Sequence, residues 1–244
     1  MENGWKFLNV DVSTEMGIRK AQSWNLISSR KADIVMSPLL HHATSLLFSH
    51  SQKARLFFVM RHPLERLVSL FYYLQSATHE PTYNPLFQKM TLEQYANSSW
   101  VESNFMVRVS RPRRHDNNSF GAYYSQRPLS PRFGKSLIDK MEGRLYPEDF
   151  DIAVAIIRKA LIGLLENIEE STRRFDKFFG FQGDIVCSKA FLEGGANRGM
   201  NRDEVILPGP TTFTFQELAR KNYMDMRLYK EGKKLFAEQG AMFS

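Results

Sequence analysis

An arginine, a serine and two adjacent histidines carry the chemistry this sequence has to offer. Arg61 ends an uninterrupted apolar run, Leu56-Phe57-Phe58-Val59-Met60, and is followed by His62-Pro63-Leu64-Glu65-Arg66-Leu67-Val68-Ser69. A guanidinium is planar, permanently charged and able to grip two oxygens at once, which suits a phosphate. The Ser69 hydroxyl adds a group that both donates and accepts. His41 and His42 supply imidazoles, which change charge near neutral pH and can take a proton from a hydroxyl. The same residues have plainer uses. Arg61 can pair with a carboxylate, Ser69 can bond to the preceding helical turn, and either histidine can lie on the surface or cap a helix. Residue chemistry alone leaves these alternatives open. His41, His42 and His50 have no cluster of carboxylates or cysteines to complete a metal site, so no metal is expected.

The elements that must position Arg61 and Ser69 are legible. Uninterrupted apolar runs suit strands buried on both faces, as in a parallel sheet. Pro63 then occupies the favoured first position of a helix, with Glu65 in its first turn. Leu64, Leu67, Val68, Phe71 and Leu74 follow at helical spacing. Strand, sharp turn and helix make half of a βαβ unit. That places Arg61 at the C-terminal edge of a sheet, where ligands bind in open α/β folds. The helix N-terminus beside it favours anions through its orphan N–H groups and dipole. Ser69 falls on the stripe of Glu65, Arg66 and Tyr73 rather than on the apolar stripe.

Elsewhere, Ser13-Thr14 offers an N-cap for a helix over Glu15–Leu26, and Asp33–Met36 reads as a short strand closed by Ser37-Pro38. Thr91 caps a further helix, and Asn104–Val109 predicts another. Residues 110–142 are rich in Pro, Gly, Ser and Arg with no period, which predicts a long loop or insertion. Asp151–Glu166 fits either one long amphipathic helix or a helix followed by a buried strand Leu161–Leu165, with Gly163 allowing close packing. Ser171–Phe179 is helical and ends at Gly180. The last helices cover about Thr214–Asn222 and Tyr223–Glu238. No repeat or clean linker interrupts the chain, so residues 1–244 read as one domain.

FFVMRHPLERLVSLFYYL resembles the 3′-phosphate-binding motif of sulfotransferases that use 3′-phosphoadenylyl sulfate (PAPS). That motif is an apolar strand, Arg, Pro two residues on, a second Arg, and Ser eight residues after the first Arg. The resemblance implies that Arg61 and Ser69 bind the donor's 3′-phosphate. It leaves both positions intact although His62 stands where relatives often have Asp. Thr91-Leu92-Glu93-Gln94-Tyr95, Asn104-Phe105-Met106-Val107-Arg108, Leu161-Ile162-Gly163-Leu164-Leu165-Glu166 with Ser171 and Phe175, and Asn222, Asp225, Leu228 and Tyr229 are similar to further blocks of the family. The likeness spans about residues 5–109 and 143–239. It is closest to the polysaccharide-modifying group, which includes the uronosyl 2-O-sulfotransferases, and favours the strand reading at Leu161–Leu165. It implies a P-loop NTPase-like α/β fold with a short parallel sheet flanked by helices, and a carbohydrate or polysaccharide acceptor. In that group a His before the Arg-x-Pro strand is the base, a role that falls to His41 or His42.

The chain departs from the family at two places. No Lys-x-Gly-[Ser/Thr]-[Ser/Thr] loop for the donor's 5′-phosphosulfate is present. The expectation is that the first strand and this phosphate loop are missing, so that neighbouring backbone groups are left unpaired. Turnover is then expected only of a chain that carries the loop, and the alternative is an inactive fragment or paralogue that keeps donor or acidic-glycan binding. Residues 110–142 match nothing in the family.

The formal net charge of +7 agrees with a polyanionic ligand without choosing one. A basic run from Arg108 to His115, with Phe120, Tyr123 and Tyr124 nearby, would suit an acidic glycan or RNA, but no RNA-binding motif accompanies it, so nucleic acid is not expected. Cys187 is the single cysteine, which excludes a disulfide framework within the chain. No apolar run approaches the ~18 residues of a membrane span. Relatives are commonly type II Golgi proteins, so the resemblance implies the Golgi, with any anchor upstream of these residues.

Overall fold

The computed structural model describes residues 10–78, 83–112, 144–180 and 207–243. The expected insertion, apart from its first three residues, lies outside them, as does Cys187. The described residues divide into two compact units, 10–55 with 109–112, and the remainder.

In the first unit, α1 (Glu15–Ser23) begins where Thr14 Oγ1 accepts a hydrogen bond from Gly17 N, so the expected cap is in place. α2 (Leu40–Leu47) packs against α1. The expected strand at Asp33–Met36 does not form. Ile34 and Met36 are exposed, so no apolar face is buried there to hold a ladder. The Ser37 hydroxyl ties the segment down instead, donating to Val12 O at 2.7 Å and accepting from Leu39 N at 3.0 Å.

The second unit is built on two parallel strands. β1 (Leu56–Met60) pairs with β2 (Ala160–Leu164), with Leu56 opposite Ala160 and Met60 opposite Leu164. Among the described residues this is the whole sheet, flanked by helices. β2 is buried throughout, whereas Val59 of β1 is exposed, so burial on both faces belongs to β2 rather than β1. α3 (Pro63–Ser76), α4 (Leu92–Asn97) and α5 (Phe105–Ser110) follow β1. α6 (Pro147–Ile157) precedes β2, which resolves the ambiguous Asp151–Glu166 stretch as helix, turn and strand. α7 (Ile168–Phe179) ends at Gly180, whose φ of 72° is one that glycine adopts without strain. α8 (Phe213–Lys221) and α9 (Tyr223–Gln239) complete the unit.

The edge of β2 away from β1 meets no third strand among the described residues, yet four of its backbone groups, Ala160 O, Ile162 N, Leu164 N and Leu164 O, are paired with side chains. Gln239 acts as a surrogate strand: its side-chain Nε2 donates to Ala160 O at 2.8 Å and its Oε1 accepts from Ile162 N at 3.0 Å. Ser171 Oγ accepts from Leu164 N at 2.8 Å. Along this edge α9 and α7 supply the partners that burial demands.

Two apolar clusters enclose these elements. One gathers Met60, Ile157, Ile162, Leu164, Leu228 and Phe236 about the sheet. The other joins Leu64, Leu67, Val68 and Phe71 of α3 to Tyr95 and Leu218. The apolar stripe of α3 is therefore fully spent on packing, which leaves its other stripe for polar work. α5 and α9 cap one another: Asn104 Oδ1 accepts from Met224 N and Asp225 N, while the Asp225 carboxylate accepts from Met106 N and Val107 N.

Candidate functional site

Arg61 follows the last residue of β1, and α3 starts two residues later with Pro63 at its head. His62 is the N-cap but makes no capping hydrogen bond through its side chain, so the first turn of α3 keeps open N–H groups. Arg61 Nε lies 3.8 Å from Glu65 Oε2 and has no hydrogen-bond partner among the described residues. Glu65 and Ser69 are one turn apart and share a helix face. Ser69 is half-buried, and no hydrogen bond engages its hydroxyl among the described residues. Arg66 is spent elsewhere, on Glu102 at 2.6 Å and over the Phe105 ring at 4.2 Å. Among the described residues, Arg61 before α3 and Ser69 on its polar stripe thus remain available, while Arg66 braces the fold.

A second group of side chains meets the same sheet edge. Glu166 lies just beyond the end of β2, as Arg61 lies just beyond β1. Tyr229 donates its hydroxyl to Glu166 Oε2 at 2.8 Å, and Lys233 Nζ sits 2.9 Å from Oε1. The His62 ring meets Tyr229 edge-on at 5.4 Å. Lys233 and Tyr229 hold the Glu166 carboxyl below its usual range. Burial pushes the Tyr229 hydroxyl up, and its bond to Glu166 adds to this. Burial also lowers His62, against the opposing pull of Glu65 and Glu166. Among the described residues His62 Nδ1 is enclosed without a hydrogen-bond partner, so a proton there would lack an acceptor. The sequence reading passed over Lys233 altogether. Its signal was the i, i+4 spacing from Tyr229, which places both on one face of α9.

His41 and His42 fall in the first unit, apart from the unit that carries Arg61 and Ser69. They are consecutive residues of α2 and face different partners. His41 Nε2 lies 2.8 Å from the carbonyl of Ser110. A carbonyl only accepts, so Nε2 carries the proton and Nδ1 is the basic nitrogen. His42 Nε2 lies 3.7 Å from Glu15 Oε1, beyond hydrogen-bond reach.

A groove of about 550 Å³ runs between α6 and α9, lined by Phe150, Asp151, Arg158, Arg227 and Lys230 among others. None of the four candidate residues lines it. Among the described residues no helix is long and apolar enough to cross a membrane, and no group of three or more His, Cys, Asp or Glu side chains could hold a metal ion. No family model, curated protein or solved structure matches the chain.

Proposed function

We propose that the chain is a sulfotransferase-type domain that binds 3′-phosphoadenylyl sulfate by its 3′-phosphate at Arg61 and Ser69. One observation carries this reading. Among the described residues, an arginine with an unpartnered Nε lies just beyond the end of a parallel strand and before a helix whose first turn has no side-chain cap, and a serine with an unengaged hydroxyl lies on the second turn of that helix. Such a junction binds anions because the helix dipole and the orphan N–H groups both point at the ligand. A P-loop NTPase-like fold is the framework in which this junction would operate.

In the reaction proposed, the hydroxyl oxygen of a carbohydrate acceptor attacks sulfur. The bond from sulfur to the 5′-phosphate oxygen breaks, and adenosine 3′,5′-bisphosphate leaves. His41, through Nδ1, or His42 takes the hydroxyl proton. The absence of a Lys-x-Gly-[Ser/Thr]-[Ser/Thr] sequence favours a second reading, in which these residues bind donor or acidic glycan without turning it over. Preorganised donors on the leaving oxygen contribute ~10²–10³ in rate each, so their lack would silence the chemistry while sparing the affinity.

Both readings require the 3′-phosphate to be recognised. Adenosine 3′,5′-bisphosphate should bind more tightly than AMP in calorimetry. Arg61→Ala should remove most of that difference, since a hydrogen bond to a charged group is worth roughly 1.5–3 kcal/mol. Equal affinity of the wild type for the two nucleotides would sink the assignment.

A further inference from the structure

The site described above already holds an anion of its own. Glu65 lies in the first turn of α3, where the helix dipole favours negative charge. Its Oε2 is 3.8 Å from Arg61 Nε, and Ser69 follows one turn along the same face. The charge of Glu65 also reaches His62 and Tyr229 on the flank of the junction. A phosphate gripped by Arg61, Ser69 and the N-terminus of α3 would compete for the positive charge that this carboxylate now balances.

The resident pair is a loose one. Its separation exceeds hydrogen-bond reach, and the Arg61 and Glu65 side chains are 24% and 39% exposed. Pairs of this kind contribute little to stability. A phosphate dianion that forms short charge-assisted bonds competes well against it.

We propose that Glu65 is a positioning residue that substitutes for the ligand's phosphate in the free protein. It keeps Arg61 directed along α3 and yields it when the nucleotide arrives, which moderates the affinity. The moderation has a purpose in the proposed reaction, because donor and bisphosphate product carry the same 3′-phosphate and the product must leave. This inference rests on the reading of Arg61 and Ser69 as phosphate-binding residues.

Calorimetry of the whole chain with adenosine 3′,5′-bisphosphate and with AMP tests both levels. Glu65→Gln should tighten bisphosphate binding roughly two- to fivefold, the scale of one exposed ion pair. Glu65→Ala is a second way to remove the charge and should act in the same direction, whereas Glu65→Asp, which keeps it, should stay near wild type. AMP should gain less than the bisphosphate, and the gain should vanish in Arg61→Ala/Glu65→Gln, which a merely structural role for Glu65 would not produce. Unchanged or weaker binding by the charge-removing variants, with Arg61-dependent binding intact, overturns the inference and leaves the site standing. Wild-type binding that ignores the 3′-phosphate or is insensitive to Arg61→Ala overturns the site and this inference together.

Discussion

Side chains of one type differ here in how much of their chemistry is left free. Arg66 and Arg174 are braces: Arg66 grips Glu102, and Arg174 is buried over the Phe236 ring with Glu170 at 2.7 Å. Among the described residues Arg61 has only the long contact with Glu65, so it alone of these three keeps hydrogen-bonding capacity at an anion-favouring place. The histidines divide in the same way. Among the described residues His62 has an enclosed nitrogen with no acceptor and is held toward its neutral form by burial, while His41 Nε2 meets the Ser110 carbonyl and His42 Nε2 lies 3.7 Å from Glu15 Oε1. In a chain supplied with an upstream phosphate loop, His41→Ala or His42→Ala should lower glycan sulfation ~10²–10⁴-fold, the usual contribution of a positioned base. Bisphosphate affinity should hardly change. Both variants turning over at the wild-type rate in a radiolabelled-sulfate assay would exclude each of them as the base.

At the scale of elements, β2 shows how one strand of a sheet with two described strands can be buried throughout. Its inner edge pairs with β1, and its outer edge is completed by Gln239 and Ser171. α7 must therefore lie very close to β2, and Gly163 permits the approach. A Cβ at that position would come within 2.7 Å of the Phe175 ring and 3.0 Å of Ser171 Cβ. Gly163→Ala would push α7 outward and strain the Ser171 bond to Leu164 N. The expected cost is about 1–3 kcal/mol, the range for overpacking a tight core, and a lower urea midpoint with an unchanged m-value would register it. A midpoint equal to wild type would mean that α7 can shift without penalty. The glycine was visible in the sequence as a sign of close packing. Its neighbours were not, because Phe175 and Ser171 come from the next helix.

For the molecule as a whole, acid and base act on stability through different carboxylates. Burial raises Asp225 from its ordinary 3.8 to about 6, against the two backbone N–H groups that favour its charge. Its folded state thus binds a proton more tightly than the unfolded chain does. The stability it contributes is fully present below pH ~4 and is lost as pH rises through about 6. Glu170 runs the other way: Arg173 and Arg174 hold it down from 4.5 to about 2, so its small contribution is full above pH 4.5 and is lost progressively as pH falls to about 2. Urea midpoints of the wild type should therefore show a component that declines between pH 4 and 6, and Asp225→Asn should flatten it. The same decline in both proteins would assign it to other groups. What the sequence by itself determined is the local grammar. Period, proline position and capping residues act within a few neighbours, so β1, α3 and the Arg61–Ser69 stripe were readable, as were α6, α7 and α9 to within a few residues. Only the tertiary structure decided that Asp33–Met36 forms no strand, that β2 and not β1 is the buried one, and that Glu166, Tyr229 and Lys233 meet at the sheet edge beside His62. Those outcomes depend on which distant segments supply partners, and contacts such as Glu166 with Tyr229 or β1 with β2, far apart in the chain, leave no mark in local spacing.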